Sequence, residues 1–399
     1  MKLGLILSND WELFGNGTGD YFRDQHRPLE ELLDVAEQHS ASITVMAEVG
    51  QQLAHRRAAA AYSLVSDIAE AWDSILRDVV RRGSDVQLHL HPQWLDAVYS
   101  DGVWQLNYDK WAISSLSTGE MESALSESRQ YLENLLQAVS ADYRCVAFRA
   151  GAYCLIPSDK VVPALRKVGL LCDTSVTKGM VDIGFYDFRE AHSHVLPWFV
   201  EGTDIRRSGK VRCGLLEIPI CSVQILDSAL LRKFIGQGAL DRLTLNASPT
   251  DDDKAWFQMK YQSYNERYPV SGRPFAGARQ RPPRNTRWLL SKLAGKRTIQ
   301  LDYDSLTPSM FAALLRRTFD SDELQSLRDT DTIVPVMASG HVKAIQNCDN
   351  FSRILKEIRK QFSDTVVFWT LREAVEYWLN LSRSTIAREE IIDVGAGSS

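Results

Sequence analysis

The sequence predicts an α/β fold built on a mostly parallel sheet. Two observations carry that expectation. Short apolar runs rich in β-branched residues alternate with segments whose apolar residues recur at helical spacing. The polar residues that can do chemistry gather just after those runs, where parallel α/β folds build their active sites.

"KLGLILSND" reads as a first strand entering a loop. "HRPLEELLDVAEQHSA" has helical spacing, and "SITVMAEVG" is a second strand closed by glycine. A helical stretch from Ala58 to Arg81 leads to "DVQLHLHPQW", a third strand stopped by Pro92, since proline cannot donate to a ladder. The helix "MESALSESRQYLENLLQAVS" and the strand "YRCVAFRAGAY" follow, then the helix "SDKVVPALRKVG" and the strand "LLCDTSV". Further strands are expected at "HVLPWFV" and "GLLEIPICSV". "TDTIVPVMASGH" reads as a strand, "FSRILKEIRKQF" as a helix, "TVVFWT" as a strand and "LREAVEYWLN" as the closing helix.

Two segments interrupt this order. "YSDGVWQLNYDKWAISSLS" is aromatic and has no clear period. The span 238–298 reads as a basic insertion: from Arg273 to Arg297 it holds six arginines and two lysines, Arg281 and Arg284 among them, and no acid. Residues 382–399 read as a loose tail.

The chain has 399 residues, 44% apolar and 24% charged, with net charge −5, an ordinary globular composition with room for a large core. Mild acidity excludes a general attraction to nucleic acid or anionic membrane. Six cysteines with no CxxC pair read as reduced thiols. The first apolar run is too short for a signal peptide, and no run approaches the ~18 residues of a membrane span. The expectation is a cytoplasmic protein without a membrane span.

The strand ends supply Asn9, Asp10 and Glu12, then Glu48, then His89 and His91, then Arg149, Asp173, Glu217 and His341. His89 and His91 stand two apart on a strand, so both imidazoles point the same way. A carboxylate with two imidazoles is a common catalytic zinc set, and such an ion activates water and polarises a carbonyl. An arginine can steady a carboxylate or oxyanion, and a separate histidine can protonate a leaving amine. Together these groups suit a metal-dependent hydrolase of an amide or ester. Each has a plainer reading: a hydrogen-bonded histidine pair, a turn aspartate, a structural ion pair, a loop histidine.

"LSNDWEL", "LHLHPQW", "FRAGAY", "LLCDTSV", "LEIPI" and "MASGH" occur in the order of the motif blocks of the polysaccharide deacetylase (NodB-homology) superfamily, carbohydrate esterase family 4 and its relatives. The chain resembles a divergent branch, similar to deacetylase-like proteins of bacterial surface-polysaccharide synthesis (O-antigen and lipopolysaccharide). The resemblance implies an incomplete (β/α) barrel of about seven parallel strands over residues 1–381, interrupted by the insertion. It implies a divalent metal, zinc first, held by Asp10, His89 and His91, and hydrolytic removal of an N-acetyl group from an amino sugar. Arg149 would orient a catalytic carboxylate and His341 would act as general acid. Asn9 stands where the family carries its base, and an amide cannot take that proton. Glu12 is therefore the candidate base, with Glu48 and Asp20 in reserve. The histidine spacing also departs from the family's, with one intervening residue instead of three.

Candidate substrate contacts are the rings of the Trp94–Trp111 segment, Trp94 first, which suit sugar stacking or plain lid packing; Tyr153; Asp173, which also fits a turn or cap; and Arg281 and Arg284 as an anion clamp. Two other readings remain: a metal-independent glycosidase using Glu12 and Glu217, and a degenerate glycan-binding protein suggested by Asn9. Oligomeric state is open.

Overall fold

The computed structural model describes residues 1–182, 185–209, 214–226, 251, 296–344 and 348–382. Arg281, Arg284, most of the 238–298 insertion and the tail beyond residue 382 lie outside the described residues.

The central sheet is made of β1 (Lys2–Trp11), β2 (Ile43–Glu48), β3 (Asp85–Leu90), β4 (Ala147–Ala150), β5 (Cys172–Asp173), β6 (Trp198–Phe199), β7 (Leu216–Glu217), β8 (Ile333–Ala338) and β9 (Val366–Phe368). Its order is β6-β7-β5-β4-β3-β2-β1-β8, with β9 also pairing β1. Every pairing is parallel except that of β6 with β7. The sheet curls into an open half-barrel, an incomplete (β/α) barrel. Beside it, the expected strand "GLLEIPICSV" divides into β7 and Ser222–Leu226, which pairs antiparallel with Lys296–Gln300.

Alternation along the strands sorts the two faces. Leu3, Leu5 and Leu7 of β1, with Val45, Val86, Leu88 and Phe148, join one apolar cluster with the helices. Ile6, Met46, Ala147, Cys172, Leu216 and Met337 form a second cluster on the inner face. A helix over residues 371–382 packs into that inner face through Leu371, Ala374 and Val375, and its Leu371 N–H donates to the Thr44 hydroxyl at 2.8 Å. The terminal helix thus floors the half-barrel. Gly4 is required beside it, because a Cβ there would come within 2.4 Å of the Trp369 ring.

Helices α1 (Arg27–Gln38), α2 (Val49–Ala58), α3 (Ser63–Arg81) and α4 (Thr118–Leu136) cover the outer face. α3 buries Val65, Ala69, Trp72, Leu76 and Val79, the spacing of one helical stripe. α4 opens on a reciprocal capping box between Ser117 and Glu120. The stretch expected as one helix from Ala58 breaks at Tyr62, whose φ of −135° is extended. The aromatic interruption contains a hairpin, Val98–Ser100 with Val103–Gln105. Cys145, Cys154, Cys172, Cys221 and Cys348 are buried free thiols. No helix among the described residues is long and apolar enough to cross a membrane.

Candidate functional site

Above the apolar floor, the inner positions turn polar towards the carboxyl ends of the strands. Ser8 and Asp10 continue the side of Ile6 on β1, Glu48 follows Met46 on β2, and Arg149 follows Ala147 on β4. His89 and His91 rise beside them, ring centroids 4.9 Å apart and ring planes at 81°.

Each imidazole is oriented through Nδ1. His89 Nδ1 lies 3.0 Å from the Arg149 carbonyl, which can only accept, so Nδ1 carries a proton and Nε2 of the neutral ring carries a lone pair. His91 Nδ1 lies 3.0 Å from the Gln93 side-chain amide. Turning that amide over gives its otherwise partnerless Oε1 the Nδ1 proton and leaves His91 Nε2 as a lone pair too. Both Nε2 atoms are buried without a hydrogen-bond partner. Both face Glu12, whose Oε2 is 3.3 Å from His89 Nε2 and 2.5 Å from His91 Nε2.

Three lone-pair donors converging in a buried space repel one another unless a cation lies among them. Glu48 adds a fourth group. The ligand atoms of Glu12, Glu48, His89 and His91 all lie within 4.8 Å of one another. Glu48 is already engaged: its carboxylate accepts the His91 backbone N–H at 2.7 Å and, as the N-cap of α2, that of Gln51 at 3.3 Å. Burial and the neighbouring Glu12 push the Glu48 carboxyl well up. Burial would also raise Glu12, but the Lys343 ammonium holds it well below the usual carboxylate range. Two nitrogens with one or two carboxylate oxygens fit a zinc-type ion.

Asp10, the expected third ligand, is placed elsewhere. Its Oδ1 is 2.5 Å from Arg149 Nη1 and its Oδ2 is 3.5 Å from His341 Nε2. β1 runs on through Trp11, so residues 10 and 12 fall on the same side, and the longer Glu12 reaches the imidazoles. Burial opposes ionisation of Asp10, yet Arg149 and His341 lower its pKa. Arg149 is fully buried and also donates to Thr174 O at 3.0 Å and Ser8 Oγ at 2.9 Å. Asn9, on the alternate side of the strand, donates to the Tyr303 hydroxyl at 2.8 Å and does not face the imidazoles.

His341 is bracketed by acids. Its Nδ1 is 3.4 Å from Asp304 Oδ2, which also accepts the His341 backbone N–H at 2.7 Å. Burial would lower its pKa, but the bond to Asp304 and the charges of Asp10 and Asp304 raise it to about 9. At neutral pH it holds a proton beside Asp10.

The expected substrate contacts are scattered. Trp94 is only 2% exposed, because the turn Pro92–Trp94 tucks it into a small cluster with Ala54 and Ala97, against Trp104. The ring beside the histidines is Trp111 instead, half-buried and 6.2 Å from both His91 and Phe185. Tyr153 is at the site: Asp10 and Arg149 act on its hydroxyl, which burial pushes well up. Asp173 is fully buried and accepts from the Ser175 N–H and hydroxyl at 3.0 and 2.9 Å. It faces the buried Glu217, and burial raises both carboxyls, so the pair is a wall under Arg149 with no face for a sugar. Asp20 is exposed and caps the Arg23 N–H at 2.8 Å, away from the cluster. Lys343 and Asp304 were not singled out from the sequence, and Trp111 was included only as the end of the aromatic segment that starts at Trp94. A strand-end loop opening on His341 was the available signal for Lys343.

No family model matches the sequence, and no curated protein matches it. Among solved structures, the chain is similar to one described as a polysaccharide deacetylase from Mycobacterium smegmatis, at 12% identity and TM-score 0.41 over 94% of this chain and 89% of that one. An allantoinase is similar at 11% identity and TM-score 0.40, over 94% and 89% of the two chains. A GH57-type branching enzyme from Pyrococcus horikoshii is similar at 11% identity and TM-score 0.43, over 94% and 70%. At such low scores the chemistry has to come from the side chains themselves.

Proposed function

We propose that this chain is a metal-dependent carbohydrate N-deacetylase, a hydrolase of linear amide C–N bonds acting on an N-acylated, N-acetyl first, amino sugar. The observation that carries the proposal is the convergence of two buried, partnerless Nε2 atoms on the Glu12 carboxylate. Glu12, His89 and His91 would hold the ion, with Glu48 fixing the His91 backbone and available as a further oxygen ligand. When bound, a divalent ion, zinc first, would acidify a water and polarise the acyl carbonyl.

The chain's own groups divide the proton work. Asp10, held ionised by Arg149, is the base, the role first given to Glu12. Arg149 touches Asp10 directly and sits too deep to reach a substrate, so it is a positioning residue. His341, kept protonated by Asp304, is placed to give its proton to the departing amine. Trp111 and Tyr153 wall the site with rings on which a pyranose can stack.

The motif order supports a place in surface-polysaccharide or lipopolysaccharide synthesis, in the cytoplasm, with residues 1–381 as one catalytic domain around the 238–298 insertion. The glycosidase reading loses its second carboxylate, since Glu217 is sealed against Asp173 and bonded to the Val176 N–H at 3.1 Å. The binding-only reading rested on Asn9, and Asp10 supplies the acid that Asn9 lacks.

The test is acetate release from N-acetylglucosamine oligosaccharides and nucleotide-linked N-acetyl sugars by protein reconstituted with zinc. Chelation should abolish release and zinc should restore it. Glycan cleavage that persists in chelator would sink the proposal.

A further inference from the structure

Lys343 lies on the short helical turn Val342–Ala344, two residues past His341, and is mostly buried, its side chain 14% exposed. Its ammonium donates to Glu12 Oε1 and, at 3.4 Å, to the Leu13 carbonyl. The two oxygens of Glu12 thus have separate duties: Oε1 is tied to Lys343 and Oε2 points at the two Nε2 atoms.

Such a tie matters at this position. Glu12 lies just past the end of β1, where the ladder no longer fixes the backbone, and its side chain is long. His89 and His91 are each fixed through Nδ1, by the Arg149 carbonyl and by Gln93. Glu12 is the one member of the three whose fixing partner is a charged side chain, delivered from the far end of the sequence. Hydrogen-bonded partners of metal ligands set ligand direction and metal affinity.

Resting on the metal-site reading above, we propose that Lys343 is a positioning residue for the metal: it clamps Glu12 Oε1 so that Oε2 is presented to the cation together with His89 and His91. Two effects oppose each other. An ammonium this close repels a divalent cation, whereas fixing the carboxylate removes the entropy of ordering it. The proposal is that fixation wins.

The experiment uses the full chain, stripped of metal, titrated with zinc against a competing chromophoric chelator, and separately loaded with cobalt(II) for its visible spectrum. Lys343→Met should weaken zinc about 10–100-fold. It should also change the cobalt bands as the carboxylate loses its fixed geometry, and the metal-free melting temperature should fall because buried Glu12 loses its partner. Lys343→Arg, which keeps a donor and a charge, should recover most of the affinity and the wild-type bands. Equal or tighter zinc binding by Lys343→Met would overturn the proposal and leave the metal site standing. So would a loss that tracks the metal-free melting temperature and is not rescued by arginine. Failure of the wild-type chain to bind zinc would defeat the metal-site reading itself.

Discussion

Exchanging the two acids of the first strand one at a time separates the geometric assignment from the one that sequence adjacency suggests. Glu12→Gln keeps the shape but removes the anion facing His89 and His91. Structural zinc sites are worth about 10–16 kcal/mol over four ligands, or about 2.5–4 kcal/mol per ligand. Losing one ligand therefore weakens zinc about 10²–10³-fold. Asp10→Asn removes no ligand in this geometry, so zinc affinity should fall far less than in Glu12→Gln. Its effect falls on stability. Arg149, fully buried, loses the carboxylate 2.5 Å away, and breaking such a pair costs about 3–5 kcal/mol. Isothermal titration with zinc and urea denaturation of metal-free protein read the two quantities independently. Zinc binding lost in Asp10→Asn and retained in Glu12→Gln would refute the placement of Glu12 and restore Asp10 as the ligand.

Four further outcomes follow from the same geometry. His341 has its pKa raised to about 9, so it stays protonated through neutral pH, and kcat should fall on an alkaline limb near that value. The stability this proton contributes is complete below the unfolded pKa of about 6.5 and disappears as pH rises through the folded value. Asp304→Asn removes the main raising partner, so the pH–rate profile should shift its alkaline limb downwards; an unmoved limb would assign it to another group. Gly151→Ala would place a Cβ 2.4 Å from the His91 ring, so zinc affinity measured by chelator competition should drop at least about 10-fold. Trp111→Ala removes a stacking ring worth about 0.5–1.5 kcal/mol, so KM for the sugar should rise about two- to tenfold with kcat nearly unchanged.

Much of this was legible in the sequence. The alternation of β-branched runs and helical stripes gave the parallel sheet, because each strand and helix repeats its own period. His89 and His91 were legible as a pair because strand geometry alone puts residues two apart on one side. The same period, applied to the first strand, puts Glu12 on the face of Asp10 and made it the candidate base; the motif block gave the ligand role to Asp10, and that Glu12 reaches the imidazoles was not legible. Trp94 and Trp111 cannot be told apart by composition. Their difference arises from a hairpin that folds over one and leaves the other beside His91. The pairing of Asp173 with Glu217 joins strands far apart in sequence, so neither residue announces it. The break before α3 was hidden by the alanine run at 58–61, whose helical propensity gives no stop signal.

The strand order has a consequence for how the chain matures. β1 carries Asp10 and leads directly into Glu12, yet one of its edges is completed by β8, and β9 pairs along Leu3–Leu5. Lys343 and His341 arrive from that same late region. During synthesis Glu12 waits more than 300 residues for Lys343, and Asp10, whose partner Arg149 comes earlier, waits as long for His341. Contacts of such sequence separation fold slowly. A ribosome-bound fragment ending before β8 would hold both histidines and both acids, yet lack the ammonium and the acid that complete them.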